Sequence, residues 1–184
     1  MPDFTAAVAA GGGIMQDPRS HTCCFSGYRP GKMPFNVYDP AAVRALEILL
    51  DRAIDRAVAE GYDSFWSGMA LGFDIWAAEA VIRAKKRHNV RLLCAIPHEH
   101  QSDRYPPDWK KRYNVCLVHS DGVHIFAPQY FTGCFAVRNR FMVDASSLLL
   151  CYYDGRSGGT AQTVFYAEKQ HVRTVNLAKS AFSL

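Results

Sequence analysis

The chain has 184 residues, 49% of them hydrophobic and 21% charged, with a formal net charge of +4. That apolar share can bury one sizeable core, while the charge is too small to argue by itself for a nucleic-acid partner. No apolar run approaches the roughly 20 residues needed to span a bilayer, so no membrane partner is expected.

Residues 1–20 have neither a basic start nor a long apolar segment, and they read as a flexible tail ahead of a single domain over 21–184. Of the six cysteines, Cys23, Cys94 and Cys151 sit inside apolar runs, the pattern of reduced core thiols in a cytoplasmic protein. Lys85-Lys86-Arg87 and Lys110-Lys111-Arg112 read as solvated helix surface.

The first predicted strand, Thr22 to Ser26, stops at Gly27-Tyr28-Arg29-Pro30-Gly31. Arg29 lies just past the strand end, where an open parallel sheet places its ligands, or else is an exposed loop cation. Asp39-Pro40 supplies an N-cap with proline at the first helical position. Val43, Leu46, Leu50, Ile54 and Ala57 then recur on one face until Gly61.

A second strand, Ser64 to Trp66, ends at Ser67-Gly68, and Gly72-Phe73-Asp74 leads into a helix carrying Ile75, Ala78, Val81 and Ile82. Asp74 falls in or next to the first turn, placed either to cap the helix or to accept hydrogen bonds from a sugar hydroxyl or a base. A third strand, Arg91 to Ile96, ends at Pro97 before a polar loop with His98, Glu99, His100 and Asp103. No second cluster completes a ligand set for a metal, so neither a metal nor a cofactor is expected.

Pro106 to Val118 reads as a helix with Trp109, Tyr113, Cys116 and Leu117 on one side, and Gly122 to Phe126 as a fourth strand. After the aromatic loop Tyr130 to Phe135, Ala136 to Ser146 forms a helix whose Arg138 and Arg140 cannot both face the core. One of them is placed to neutralise a phosphate, or to form a surface pair such as Arg140 with Asp144.

The apolar run Leu148 to Tyr153 suits a buried strand. The turn Asp154-Gly155-Arg156-Ser157-Gly158-Gly159-Thr160 then opens a helix bearing Val164, Phe165 and Ala167. Unpaired amides at such a helix start, with glycines that let an anion approach, make a phosphate cradle; the alternative is a tight connection and nothing more. His171 to Leu177 supplies a sixth strand.

Strand and helix in alternation predict an α/β fold, an open, mainly parallel sheet with helices on both faces. Gly27, Gly68 with Gly72, and Gly158 with Gly159 then follow strand carboxyl ends and converge on one crevice.

The segments CCFSGYRP, SGMALGFDIWAAEAV, RNRFMVD and YDGRSGGTAQTVFYA resemble the YpsA-like branch of the SLOG superfamily, with Pro97, Gln101, Trp109, Tyr113 and Asp121 extending the likeness from Thr22 to Leu177. The SGMALGFD and SGGTAQT blocks are also similar to the DNA-processing protein DprA, a sister family that binds single-stranded DNA, and more distantly to LOG-type nucleotide phosphoribohydrolases. The resemblance implies a Rossmann-like fold with a pocket for a nucleotide or nucleotide-derived ligand. Ser26, Gly27, Arg29, Ser67, Gly68, Gly72, Asp74, Gly158, Gly159 and Thr160 are the matching positions, and Arg138 joins them from the residue reading.

LOG-type enzymes carry a glutamate three residues after the motif threonine, where this chain has Thr163. That argues against hydrolysis, since cleaving an N-glycosidic bond needs a carboxylate; Asp74, Asp144 or Asp154 could replace it, with Asp74 and Asp154 the candidate acid or base. A short, mildly basic chain with no obvious extra domain or aromatic-basic groove for stacking bases argues against DNA binding. The expectation is therefore binding or sensing of a nucleotide-like small molecule. Hydrolysis and single-stranded DNA binding remain as alternatives, and both catalysis and self-association are left open.

Overall fold

The computed structural model describes residues 17–180. Along β1 (Thr22–Gly27) successive side chains go to opposite faces: Cys23 and Phe25 join one apolar cluster, Cys24 the other. β5 (Leu148–Tyr152) divides the same way, with Leu148, Leu150 and Tyr152 on the first side and Leu149 and Cys151 on the second. Strands apolar on both faces belong inside a parallel sheet, and these two are neighbours, paired from Cys23 with Leu148 to Gly27 with Tyr152.

β2 (Ser64–Ser67), β3 (Arg91–Ile96) and β4 (Gly122–Ile125) extend the sheet from β1, and β6 (Arg173–Asn176) extends it from β5. The six strands run in the order β4-β3-β2-β1-β5-β6, every neighbouring pair parallel. The predicted doubly covered α/β sheet is thus what the chain forms.

α1 (Pro40–Ala59), α2 (Phe73–Ala84) and α3 (Pro107–Val118) bury their apolar stripes on the first face, and α4 (Cys134–Asp144) and α5 (Gly159–Lys169) on the second. α1 starts as its sequence dictates, with Pro40 at its first position and the Asp39 carboxylate accepting from the Ala41 amide at 2.9 Å. It ends in a Schellman motif: Tyr62 N–H bonds Ala57 O and Gly61 N–H bonds Val58 O, with Gly61 at φ +97°.

Two local expectations are corrected. The last strand is shorter than His171 to Leu177, because His171 takes the left-handed conformation (φ 55°) that caps α5, with Val172 N–H bonded to Ala167 O. Leu177 instead opens a short helix, α6 (Leu177–Ser180), where the Asn176 side chain accepts from the Ala178 amide at 3.1 Å. At the end of the expected tail, Pro18–His21 form a 3-10 helix, and Arg19 Nε donates to Ser146 O at 2.9 Å. Residues 1–16 of the expected tail lie outside the described residues.

All six cysteines are buried free thiols, and burial pushes Cys24, Cys94, Cys116 and Cys151 up to about 12. Among the described residues, no helix is long and apolar enough to cross a membrane.

The topology decides where a ligand can sit. β1 hands the chain to α1 on one face, and its neighbour β5 hands it to α5 on the other, so their loops part at the carboxyl edge and leave a crevice. One wall is set by close packing, because a Cβ on Gly27 would lie 2.3 Å from Cγ of Phe73, the first residue of α2. Gly27→Ala is expected to cost about 1–3 kcal/mol through overpacking. Urea denaturation reads this directly; an unchanged midpoint would mean that the Phe73 ring yields freely.

Candidate functional site

A cavity of about 260 Å³ opens at this crevice. Ser26, Gly27 and Arg29 contribute from the end of β1, Asp74 from α2, Arg138 from α4, and Gly158, Gly159 and Thr160 from the start of α5. Three of the residues read from the sequence, Ser67, Gly68 and Gly72, stand behind this lining. Tyr28, Lys32, Ala70, Phe135 and Asn139 line it without having been singled out.

The cradle side is built from Gly158 and the first turn of α5. Gly158 is the N-cap, at φ 144°, and no side chain caps it. An added Cβ there would lie 2.8 Å from Lys32 Nζ, which donates to Ser157 O at 2.7 Å. A Cβ on Gly159, by contrast, would meet nothing within 4 Å, so the space over this turn is open. Thr160 ties the helix start to β1 by donating from Oγ1 to Gly27 O at 3.0 Å. The positive end of α5, Lys32 and Arg29 thus share one opening.

Arg29 is exposed, and among the described residues it pairs with no carboxylate; its guanidinium lies 5.7 Å from the centre of the Phe135 ring. Arg138 is only 2% exposed and is held by the backbone. It donates to Ala95 O at 3.0 Å, to Gly68 O, and through Nε to Asn139 Oδ1 at 2.7 Å. Gly68 is needed for this close approach: a Cβ on it would overlap the guanidinium and lie 2.8 Å from Asp74 Oδ2. Burial lowers the Arg138 pKa, and Asp74 opposes that shift.

Ser67 and Gly72 set the position of Asp74. Ser67 Oγ donates to the Asp74 carbonyl at 2.8 Å and accepts from the Met69 amide at 3.2 Å. Met69 sits at φ 56°, an uncommon conformation for a non-glycine residue, in the middle of this loop. Gly72 (φ 92°) leaves no room for a side chain, since a Cβ would be 2.6 Å from Tyr28 O. The Asp74 carboxylate is 5% exposed and accepts from the Ala70 amide at 3.4 Å.

Burial pushes Asp74 up to about 6, against the pull of Arg138 and of the Ala70 and Gly27 amides. A carboxyl group in that range exchanges a proton near neutrality and can donate to or accept from a ligand hydroxyl.

Asp154, the other candidate acid or base, is placed differently. It accepts from Tyr28 Oη and from Arg156 Nε at 2.8 Å, and these partners, Arg156 foremost, hold its carboxyl below the usual carboxylate range. It lies outside the cavity lining and acts as a clasp between the β1 and β5 loops. Thr163, where LOG-type enzymes carry glutamate, is buried; it donates to Gly159 O and accepts from Asn139 Nδ2, both at 2.9 Å. The expected Arg140–Asp144 surface pair is absent among the described ion pairs, because Asp144 accepts instead from Tyr166 Oη at 2.9 Å.

In the polar loop after β3, His100 Nδ1 and Asp103 pair at 3.0 Å, and His98 is buried against Tyr130 and Phe135. No cluster of three or more metal-ligating side chains occurs among the described residues.

The unforeseen lining residues had partial signals. Tyr28 and Lys32 lie in the stretch that follows the first predicted strand, and Phe135, in the first turn of α4, ends the stretch read as an aromatic loop. Asn139 carried no signal, since nothing in RNR tells which side chain faces inward.

A parallel sheet with its cavity at the strand carboxyl ends defines a Rossmann-like α/β protein. The family model described as the YspA SLOG family (YpsA) matches residues 23–180, and the chain belongs to that family. Similar proteins include the UPF0398 protein of Macrococcus caseolyticus (strain JCSC5402), 26% identical over 132 residues, covering 70% of this chain and 72% of the relative. The UPF0398 protein of Bacillus thuringiensis (strain Al Hakam) is 24% identical over 148 residues, covering 79% and 80%.

Among solved structures, DNA processing protein A from Helicobacter pylori, described for its single-stranded DNA binding mode, aligns with a TM-score of 0.58 at 17% identity. It covers 93% of this chain and 76% of that one. DprA from Streptococcus pneumoniae aligns with a TM-score of 0.55 at 14% identity over 90% of this chain and 62% of its own. These likenesses establish the shared fold.

Because the folded Asp74 carboxyl titrates above its ordinary value of 3.8, its contribution to stability is fully present below about pH 4. It is lost as the pH rises through about 6. Asp74→Asn removes that titration. The variant is expected to match wild type at pH 4 and to be more stable at pH 7.5 by up to about 3 kcal/mol. Thermal melts at the two pH values check this; a variant less stable than wild type at pH 7.5 would contradict it.

Proposed function

We propose that the chain binds a nucleotide or nucleotide-derived phosphate ligand at the carboxyl edge of β1 and β5. The observation that carries this reading is the uncapped start of α5, open above Gly159 and facing Arg29 and Lys32 across one cavity. Backbone amides and the positive helix end would take the phosphate, with Arg29 and Lys32 neutralising its charge. Asp74, deeper in the same cavity, would meet a sugar or base hydrogen-bonding group. The volume of about 260 Å³ suits a mononucleotide-sized moiety better than a bare phosphate.

A second reading, cleavage of an N-glycosidic bond, is favoured by the protonatable Asp74 inside the cavity. Against it stands Thr163, whose hydroxyl is engaged by Asn139 and Gly159. The likeness to a protein described for single-stranded DNA binding supplies a third partner class.

One experiment separates these readings: thermal stability of the purified chain against a panel of nucleotides, with every mixture afterwards analysed for products. Binding raises the melting temperature by mass action, about 2.7 kcal/mol of stabilisation at 100 times Kd. A shift with unchanged ligand supports binding, and a shift with product supports cleavage. A signal from single-stranded DNA alone, collapsing with added salt, would move the reading to nucleic acid.

Gly159→Asp places a carboxylate in the open space above the first turn of α5. It is expected to weaken nucleotide binding by about 30-fold or more through like-charge repulsion, while the fold stays intact because an added Cβ meets nothing there. Titration calorimetry beside a denaturation curve checks both halves, and retained affinity would remove this turn from the site.

A further inference from the structure

A second concavity, of about 360 Å³, runs between α4 and α5 and shares Asn139 with the first. The bonded pair Asn139 and Thr163 forms the sill between them. Along the groove lie two aromatic rings and two cations. Phe165 is 58% exposed on the outer side of α5, with Lys169 Nζ 4.5 Å from the ring centre. Arg140 lies 5.6 Å from the centre of the Tyr166 ring. Neither cation has a carboxylate partner among the described ion pairs, although Asp144 is nearby and bonds Tyr166 instead.

An exposed phenylalanine gains nothing from water, and unpaired cations beside aromatic faces set up positive potential around a stacking surface. Phe165 and Lys169 lie about 9 and 15 Å along the axis from Gly159 at 1.5 Å per residue. A phosphate held at the α5 start therefore leaves the groove within reach of a nucleoside attached to it.

We propose that the α4–α5 groove is a second nucleotide subsite, so that the ligand is a dinucleotide whose phosphates sit at the α5 start and whose second base stacks on Phe165. The inference rests on the phosphate-binding reading of the first cavity. Arg140 and Lys169 set a positive potential around the second nucleoside, and Asn139 offers a polar contact where the ligand crosses from one cavity to the other. A single-stranded oligonucleotide would bring the same stacked unit, and the test separates the two.

Titration calorimetry would compare each nucleoside 5′-monophosphate with its symmetric pyrophosphate-linked dinucleotide, for all four bases, on wild type and Phe165→Ala. For at least one base, wild type should bind the dinucleotide at least 10-fold more tightly than the monophosphate. Phe165→Ala should lose about 5- to 150-fold on the dinucleotide alone, the range that base–aromatic stacking spans, with monophosphate affinity kept within twofold.

Monophosphate binding with no dinucleotide gain overturns the subsite and leaves the first cavity standing, whereas no binding of either overturns both. Equal losses on the two ligands, or none on the dinucleotide, also overturn it. A 12-nucleotide single strand bound more tightly than every dinucleotide, with steep salt dependence, replaces the dinucleotide by a strand. Sedimentation of Phe165→Ala covers the remaining occupant: a change from dimer to monomer would make the groove an interface between copies.

Discussion

The adjacency of β1 and β5 is the constraint from which the site follows. Two parallel neighbours whose helices depart to opposite faces cannot have their carboxyl ends covered by either helix, so a crevice is built into the winding. What the chain adds is a way of holding it in shape. Thr160 bonds Gly27 across the two strands, Phe73 packs where Gly27 has no side chain, and Tyr28, Asp154, Arg156 and Lys32 clasp the flanking loops together.

The buried polar groups behind the crevice are hard to explain by stability alone. Arg138 gains charged hydrogen bonds to two backbone carbonyls, each worth about 1.5–3 kcal/mol. Taking a guanidinium out of water costs several kcal/mol, so the balance is near neutral. Asp74 adds a net cost at neutral pH, since its carboxyl is pushed up to about 6 despite Arg138. Met69 adds a strained backbone in the same loop. Groups that cost stability and gather at one cavity fit the pattern of a site maintained for binding.

The elements most readable from sequence were those governed by local rules. Asp39-Pro40 and the apolar stripe of α1 fix that helix without tertiary information, and the apolar runs of β1 and β5 identify inner strands. The start of β6 is not legible in the sequence because the α5 cap is formed by His171 in a left-handed conformation, a place where glycine is the readable signal. The converging glycine loops were visible as strand-end turns, yet their roles were not separable in sequence. Gly158 and Gly159 line the cavity, whereas Gly68 makes room for Arg138 and Gly72 for the Tyr28 carbonyl. Those distinctions depend on contacts between residues as far apart as 68 and 138, which no local pattern encodes. For the same reason Asp154 looked equivalent to Asp74 until its partners were seen.

The central claim is that an anionic ligand is held by the backbone at the start of α5. An amide-resolved NMR titration with a nucleoside monophosphate tests it most directly, because each N–H reports its own environment. The account predicts the largest changes at Gly158, Gly159, Thr160 and Ala161, with smaller ones at Gly27 and Ala70. Saturable changes centred elsewhere, with these amides unmoved, would contradict it.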